Sequence, residues 1–174
     1  ILIISILFLK IKNFKENTSK VFFDLSKNKF PFIFLVFLIF TQIIFGAFVS
    51  GLDAGKIYQT WPLMGETYFP NDYNGKLLSD FLNFENHSLI QFYHRNIAYL
   101  ISIYIFIFSF FIIKNKKMKS LKPLIILITV ISLQIILGIF TLISQLNMFV
   151  AASHQVLSVI LILSSINLYY SSIK

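Results

Sequence analysis

Hydrophobic residues fall along the chain in four long runs, at 31–50, 89–113, 123–144 and 149–171, separated by shorter polar stretches. Each run has about the 20 residues that an α-helix needs to cross roughly 30 Å of hydrocarbon. Pro31 and Pro123 stand at the openings of the first and third runs. A proline is tolerated there because the N–H it lacks would have no helical partner anyway. Residues 1–9 form a fifth apolar stretch, too short to span. No basic leader precedes it and no small-residue cleavage site follows, so it reads as the end of a truncated helix rather than a signal peptide. The pattern predicts an all-α membrane protein: the tail of a truncated helix (1–9), a basic cytoplasmic linker (10–30), and a four-helix transmembrane bundle (31–174) with an outer-surface loop at 51–88.

Charge sets the orientation. Lys10, Lys12, Lys15, Lys20, Lys27 and Lys29 precede the first run, and Lys114, Lys116, Lys117, Lys119 and Lys122 separate the second from the third. Segment 51–88 holds only Lys56 and Lys76 against five acids, and the turn at 145–148 carries no charge. Lysine marks the cytoplasmic side. Both lysine-rich segments and the C-terminus are therefore inside, 51–88 and 145–148 are outside, and every run crosses in the required alternation. The Gly, Pro, Trp and Tyr residues of 51–88 predict a structured loop on the outer surface.

Composition sharpens this picture. Apolar side chains make up 57% of the 174 residues and charged ones 13%, well off the roughly 25% charged residues of a soluble domain. The formal net charge of +8 does not point to nucleic acid, because the lysines flank apolar runs and Arg95 is the only arginine. Cysteine is absent, which excludes disulfides, thiolate metal sites and cysteine nucleophiles. There is also an internal echo: Gln42-Ile43-Ile44-Phe45-Gly46-Ala47-Phe48 is similar to Gln134-Ile135-Ile136-Leu137-Gly138-Ile139-Phe140. In each, Gln and Gly stand four apart on one helix face. Two helix hairpins in parallel arrangement would produce it; so would coincidence in an Ile-rich chain.

The residues able to carry chemistry are few. His94 and His154 both enter a span from the outer side, so topology alone puts them at similar shallow depth. Two imidazoles at one depth on separate helices can grip a single iron centre, and helix bundles build cofactor sites in this way. The competing reading is a pair of interfacial histidines satisfied by water or backbone, but ionisable groups within spans are costly and usually functional. No third ligand at that depth supports zinc. Ala98 and Ser102 share the His94 face, Ala151 and Ser158 that of His154, and Gly46 and Gly138 add room; close helix packing would use the same small residues. Arg95 could pair with an acidic group of a cofactor or snorkel to the headgroups. Gln91 and Gln155 could meet a cofactor edge or orient an imidazole. His87 and Glu85 read as solvated loop residues, and Asp53 as a turn former.

Three stretches together resemble haem A synthase of the proteobacterial and mitochondrial type. The first is Gly46-Ala47-Phe48-Val49-Ser50-Gly51-Leu52-Asp53-Ala54-Gly55, with Tyr58, Thr60-Trp61-Pro62-Leu63-Met64 and Gly65-Glu66. The second is Asn83-Phe84-Glu85-Asn86 with Gln91-Phe92-Tyr93-His94-Arg95. The third is Leu133-Gln134, Gly138-Ile139-Phe140-Thr141-Leu142 and Ala151-Ala152-Ser153-His154-Gln155. Order and spacing match the carboxy-terminal half of that family from about residue 31 to 171. The resemblance implies two similar four-helix bundles that together oxidise a methyl group of haem O to the formyl group of haem A. It implies that this half holds a haem b through axial His94 and His154, with Arg95 and Gln155 beside it, while the catalytic residues and most of the haem O site belong to the amino-terminal half. It also implies a bacterial inner membrane in preference to a mitochondrial one, an electron donor, haem O synthase as a partner, and room for a homo-oligomer. Tyr93 departs from the pattern, since relatives often carry an acid before the His-Arg pair. The rival reading is a non-enzymatic membrane cytochrome b-type electron-transfer subunit. It would bind haem identically but leaves the 51–65 run unexplained.

Overall fold

The computed structural model describes residues 2–17, 25–75, 78–115 and 118–173. Five α-helices form: α1 (Leu2–Asn17), α2 (Phe30–Gly51), α3 (His87–Lys114), α4 (Leu121–Ile143) and α5 (Met148–Ile173). Four of them, α2 to α5, are long and apolar enough to cross a membrane. The chain is therefore an all-helical, multi-pass membrane protein, and the four runs read from sequence coincide with its spans to within about two residues. Lys20, Lys76, Lys116 and Lys117 lie outside the described residues.

Local chemistry explains the helix ends. Pro31 sits in the first turn of α2. Asn86 caps α3, its side-chain oxygen accepting from the Leu89 N–H at 3.0 Å. Asn147 accepts from the N–H groups of Phe149 and Val150 at the start of α5. The tight α4–α5 turn uses positive φ at Gln145 (54°) and Leu146 (62°), and the N–H of Leu146 returns to the carbonyl of Thr141 at 2.9 Å.

The helical part of the N-terminal segment does not stop at residue 9. Helix α1 continues through Lys10, Lys12 and Lys15 to Asn17. The reason is packing: Phe14 is 1% exposed within the core and meets the Tyr170 ring edge-on. Lys10 lies over that same ring and donates to Asn167 at 3.1 Å. The first part of the basic segment is thus docked helix, lying beside the inner end of α5. Lys29 reaches the same end, donating to the carbonyl of Ser172.

Around the bundle α2 neighbours α3 and α5, and α4 neighbours α5 and, more loosely, α3. Helices α3 and α5 therefore face each other across one diagonal, α2 and α4 across the other. Packing along the bundle is uneven. Apart from Leu89 and Ile90 at the outer start of α3, the buried apolar residues of the spans cluster at the inner end: Phe32 to Ile39 of α2, Ile101 to Ile112 of α3, Leu124 to Ile131 of α4 and Leu161 to Ile173 of α5. In lipid this contact is held by close van der Waals fit, since the tails are as apolar as the core. Toward the outer end, α2 beyond Ile39, α4 beyond Ile131 and α5 before Leu161 have no fully buried residue. The bundle is closed below and open above.

The outer loop is a folded cap. Met64 and Thr67 form an isolated antiparallel bridge, with Gly65 between them at φ +73°. Only glycine adopts that conformation without strain. A cluster of aromatic rings, Phe69, Tyr73, Phe81 and Phe92, packs the loop onto the start of α3, with Phe69 meeting Tyr73 and Phe92 edge-on. Asp72 accepts from Tyr58 at 2.7 Å and from Ser88 of α3. Partial burial works against the Asp72 carboxylate, but hydrogen bonds from Ser88 and Tyr58 outweigh it and hold its pKa below the ordinary carboxylate value. A depressed folded-state pKa stabilises the loop at neutral pH, and that contribution fades as pH falls through it. Loop protection, corrected for the intrinsic pH dependence of amide exchange, should therefore fall as pH drops below the ordinary carboxylate value of about 3.9. Asp72→Asn should remove that acid-dependent component, and an unchanged profile in the variant would count against this role.

Candidate functional site

His94 is the eighth residue of α3 and His154 the seventh of α5, both counted from the outer end. At about 1.5 Å per residue they stand roughly 10 Å below those helix starts, at matching depth. The two helices lie on the same diagonal of the bundle. Both rings sit in the open outer half, above the packed core.

Each ring is seated on the preceding helix of its own hairpin. The Gln42 amide of α2 donates to the His94 carbonyl at 3.0 Å and lies 3.4 Å from His94 Nε2. The Gln134 amide of α4 donates to the His154 carbonyl at 3.1 Å and lies 3.4 Å from His154 Nε2. Glycine makes the close approach available. A Cβ built on Gly46 would fall 3.1 Å from His94 Cε1, and one on Gly138 would fall 3.0 Å from His154 Cε1. The internal echo in the sequence therefore corresponds to two matching half-sites. Gln42 and Gln134 each stand nine residues before the last residue of their helix.

The half-sites also share a deficiency. Nδ1 of His94 and of His154 is buried without a hydrogen-bond partner, and so is Oε1 of Gln42 and of Gln134. Buried polar atoms are nearly always paired in native proteins. Four orphans in two equivalent pairs, inside a loosely packed outer half, fit a missing polar or metal-bearing group. Among the described residues no cluster of three or more His, Asp or Glu could hold a bare metal ion. Two imidazoles facing across a bundle suit iron in a planar macrocycle, which supplies the remaining four ligands itself.

The other residues singled out from sequence take different places. Arg95 is 8% exposed and points into the loop, donating to the Tyr58 carbonyl at 2.9 Å and the Leu63 carbonyl at 3.2 Å. It does not snorkel to the headgroups, because loop carbonyls satisfy its fork. Its Nε–H remains buried and unpartnered. Gln91, one turn earlier, donates to the same Tyr58 carbonyl at 2.8 Å, so it holds the loop and orients no imidazole. Gln155 is exposed and reaches Ser50 at 3.4 Å, away from the His154 ring. Ser102 and Ser158 bond to carbonyls of their own helices. His87 is exposed in the first turn of α3, and Glu85 is exposed just before it. Asp53 takes φ 54° in the turn after α2 and pairs with Lys56 at 2.8 Å. Tyr93, the departure from the motif, donates to the Phe81 carbonyl at 2.6 Å and leaves His94 to Gln42.

Residues 1–166 match the COX15-CtaA family model, described as cytochrome oxidase assembly protein. A protein named heme A synthase from Pelagibacter ubique is 47% identical over 143 residues, covering 80% of this chain and 41% of the relative. Similar proteins of that name occur in Maricaulis maris, 35% identical over 76% of this chain and 39% of the relative, and in Wolbachia pipientis wMel, 44% identical over 76% of this chain and 36% of the relative. The chain spans about two fifths of the length of these curated relatives.

Proposed function

Since the chain belongs to the COX15-CtaA family of cytochrome oxidase assembly proteins, matched over residues 1–166, we propose that it forms the haem-b-holding, carboxy-terminal bundle of a haem A synthase in a bacterial inner membrane. In that role it supports oxidation of the haem O methyl group to the formyl group of haem A. The observation that carries the reading is the pair of histidines at one depth on diagonally opposed helices, each with a buried ring nitrogen that lacks a partner.

His94 and His154 would hold the haem iron. A haem held by two imidazoles has no open coordination position, so it would supply one-electron transfer rather than oxygen activation. The protein's own residues do the rest. Gly46 and Gly138 let the rings lie against α2 and α4. Arg95 fastens the outer loop over the site, and its remaining N–H is the donor through which it would meet a haem propionate. Gln155, near the same rim, would meet the haem edge only after leaving Ser50. The packed inner core fixes the distance between α3 and α5. Substrate haem O, and the catalytic residues acting on it, would belong to the part of the relatives' length that this chain does not match.

The direct test is the optical spectrum of the purified chain supplied with haem b. Six-coordinate, low-spin bands at about one haem per chain are expected, and a protein that takes up no haem refutes the reading. The glycines give a second test. Gly46→Val and Gly138→Val should each lower haem occupancy, by roughly tenfold or more, because a Cβ already falls at about 3 Å from the ring and the ring cannot move without leaving its seat. Gly51→Val, with nothing within 4 Å of its Cβ, is the control that should keep its haem.

A further inference from the structure

We infer that Gln42 and Gln134 are matched positioning residues that fix the planes of the two histidine rings. The inference rests on the haem reading above but goes beyond ligation, to what sets the orientation of the ligands. Each glutamine sits on the helix preceding its histidine and lies four residues before the glycine that seats the ring. Each donates to the histidine's own carbonyl at 3.0 or 3.1 Å and stands 3.4 Å from Nε2. The amide is thus anchored at one end to backbone that does not move, and its other side bears on the ring. The ring thus lies between the glycine, on which a Cβ would fall 3.1 or 3.0 Å from Cε1, and the amide at 3.4 Å from Nε2.

A second observation concerns hydrogen bonding. An imidazole that gives one nitrogen's lone pair to a metal carries its proton on the other nitrogen. That N–H is almost always held by a carbonyl, carboxylate or water, and the partner fixes tautomer and ring orientation. At each half-site the glutamine oxygen is a buried acceptor with no donor, and the ring has a buried nitrogen with no acceptor. Among the described residues no acidic side chain bonds to either ring, and Tyr93, next to His94, donates to the Phe81 carbonyl instead. The amide is the neighbour of Nε2 at both half-sites alike, which leaves Nδ1, the ring nitrogen without a partner, to face a metal. A neutral amide in place of a carboxylate avoids leaving a charge in the apolar span when the cofactor is absent.

The duplication makes the inference specific. Two equivalent supports should contribute equally, so the half-sites should respond alike to the same substitution. Gln42→Met and Gln134→Met keep side-chain length and helix propensity while removing both donor and acceptor. With haem b bound to the purified full chain, each variant should retain a low-spin, bis-histidine spectrum. Each should shift the largest electron paramagnetic resonance g-value, which reports the angle between the axial ring planes. Each should release haem to an excess of apomyoglobin roughly ten- to hundredfold faster, the usual cost of losing a metal ligand's outer partner. Gln42→Asn should recover little, because its shorter arm reaches neither the carbonyl nor the ring.

Wild-type g-values and release rates in both methionine variants, even with a lowered melting temperature, would assign the glutamines to helix packing and overturn the inference while leaving haem ligation intact. An effect confined to one of the two would overturn the matched role. If the unaltered chain showed no bis-histidine signal, the haem reading itself would fall, and this inference with it.

Discussion

Replacing either His94 or His154 with alanine is expected to abolish the six-coordinate, low-spin haem spectrum and to weaken haem binding by more than about a hundredfold. The magnitude follows from the outer partners of metal ligands, whose loss alone costs roughly ten- to hundredfold; losing the ligand must cost more. The two substitutions should behave alike, because among the described residues no group of three His, Asp or Glu side chains gathers there to supply a replacement, and the chain has no cysteine. Each alanine also leaves a space the size of an imidazole against Gly46 or Gly138. Added imidazole should therefore restore the low-spin bands in either variant, and should do nothing for the double variant at the same concentration. Absorbance and resonance Raman spectra of the purified proteins decide the matter. A His154→Ala protein that keeps a six-coordinate spectrum without imidazole would exclude His154 as a ligand.

The second large effect belongs to Arg95. Its guanidinium bridges the carbonyls of Tyr58 and Leu63, and Gln91 reinforces the first of these from one turn away. Hydrogen bonds to a charged group contribute about 1.5–3 kcal/mol each. Arg95→Met removes two of them and leaves a carbonyl without a donor beneath the loop, a loss of about 3 kcal/mol or more. Since 1.4 kcal/mol is a factor of ten, loop opening should become at least about a hundredfold more frequent. Hydrogen exchange or protease cleavage within residues 51–75, applied from the outer face, measures it. Arg95→Lys should fall between, because a single ammonium cannot hold two divergent carbonyls as a fork does. The spans should remain protected in both variants, since the buried core lies at the opposite end. If loop exchange in Arg95→Met matched the wild type, the clamp would be refuted.

The four spans and the common depth of the two histidines were legible in the sequence because they depend on quantities it displays directly: apolar run length and lysine placement. The pairing across a diagonal was not, since run lengths carry no information about which helices touch. The roles of Gln42 and Gln134 lay half hidden. Their repeat with Gly46 and Gly138 was visible, but in an Ile-rich chain it was indistinguishable from coincidence until both amides were found against a histidine. The part Arg95 plays in clamping the loop was hidden for a different reason. Its acceptors are main-chain carbonyls of a folded loop, and a carbonyl leaves no mark on residue identity. Helix α1 ran past its expected boundary because Phe14 docks against Tyr170, a contact between residues 156 positions apart (170 − 14) that no local pattern encodes.

The contrast between a sealed inner end and a loose outer end has a consequence for biogenesis. A chain leaving the insertion machinery can zip the packed ends of its spans together first, since they need only their own aliphatic and aromatic side chains. On the proposed function, a haem would enter between the looser ends, and the packed stem would act as a floor that keeps it from sinking further into the bilayer.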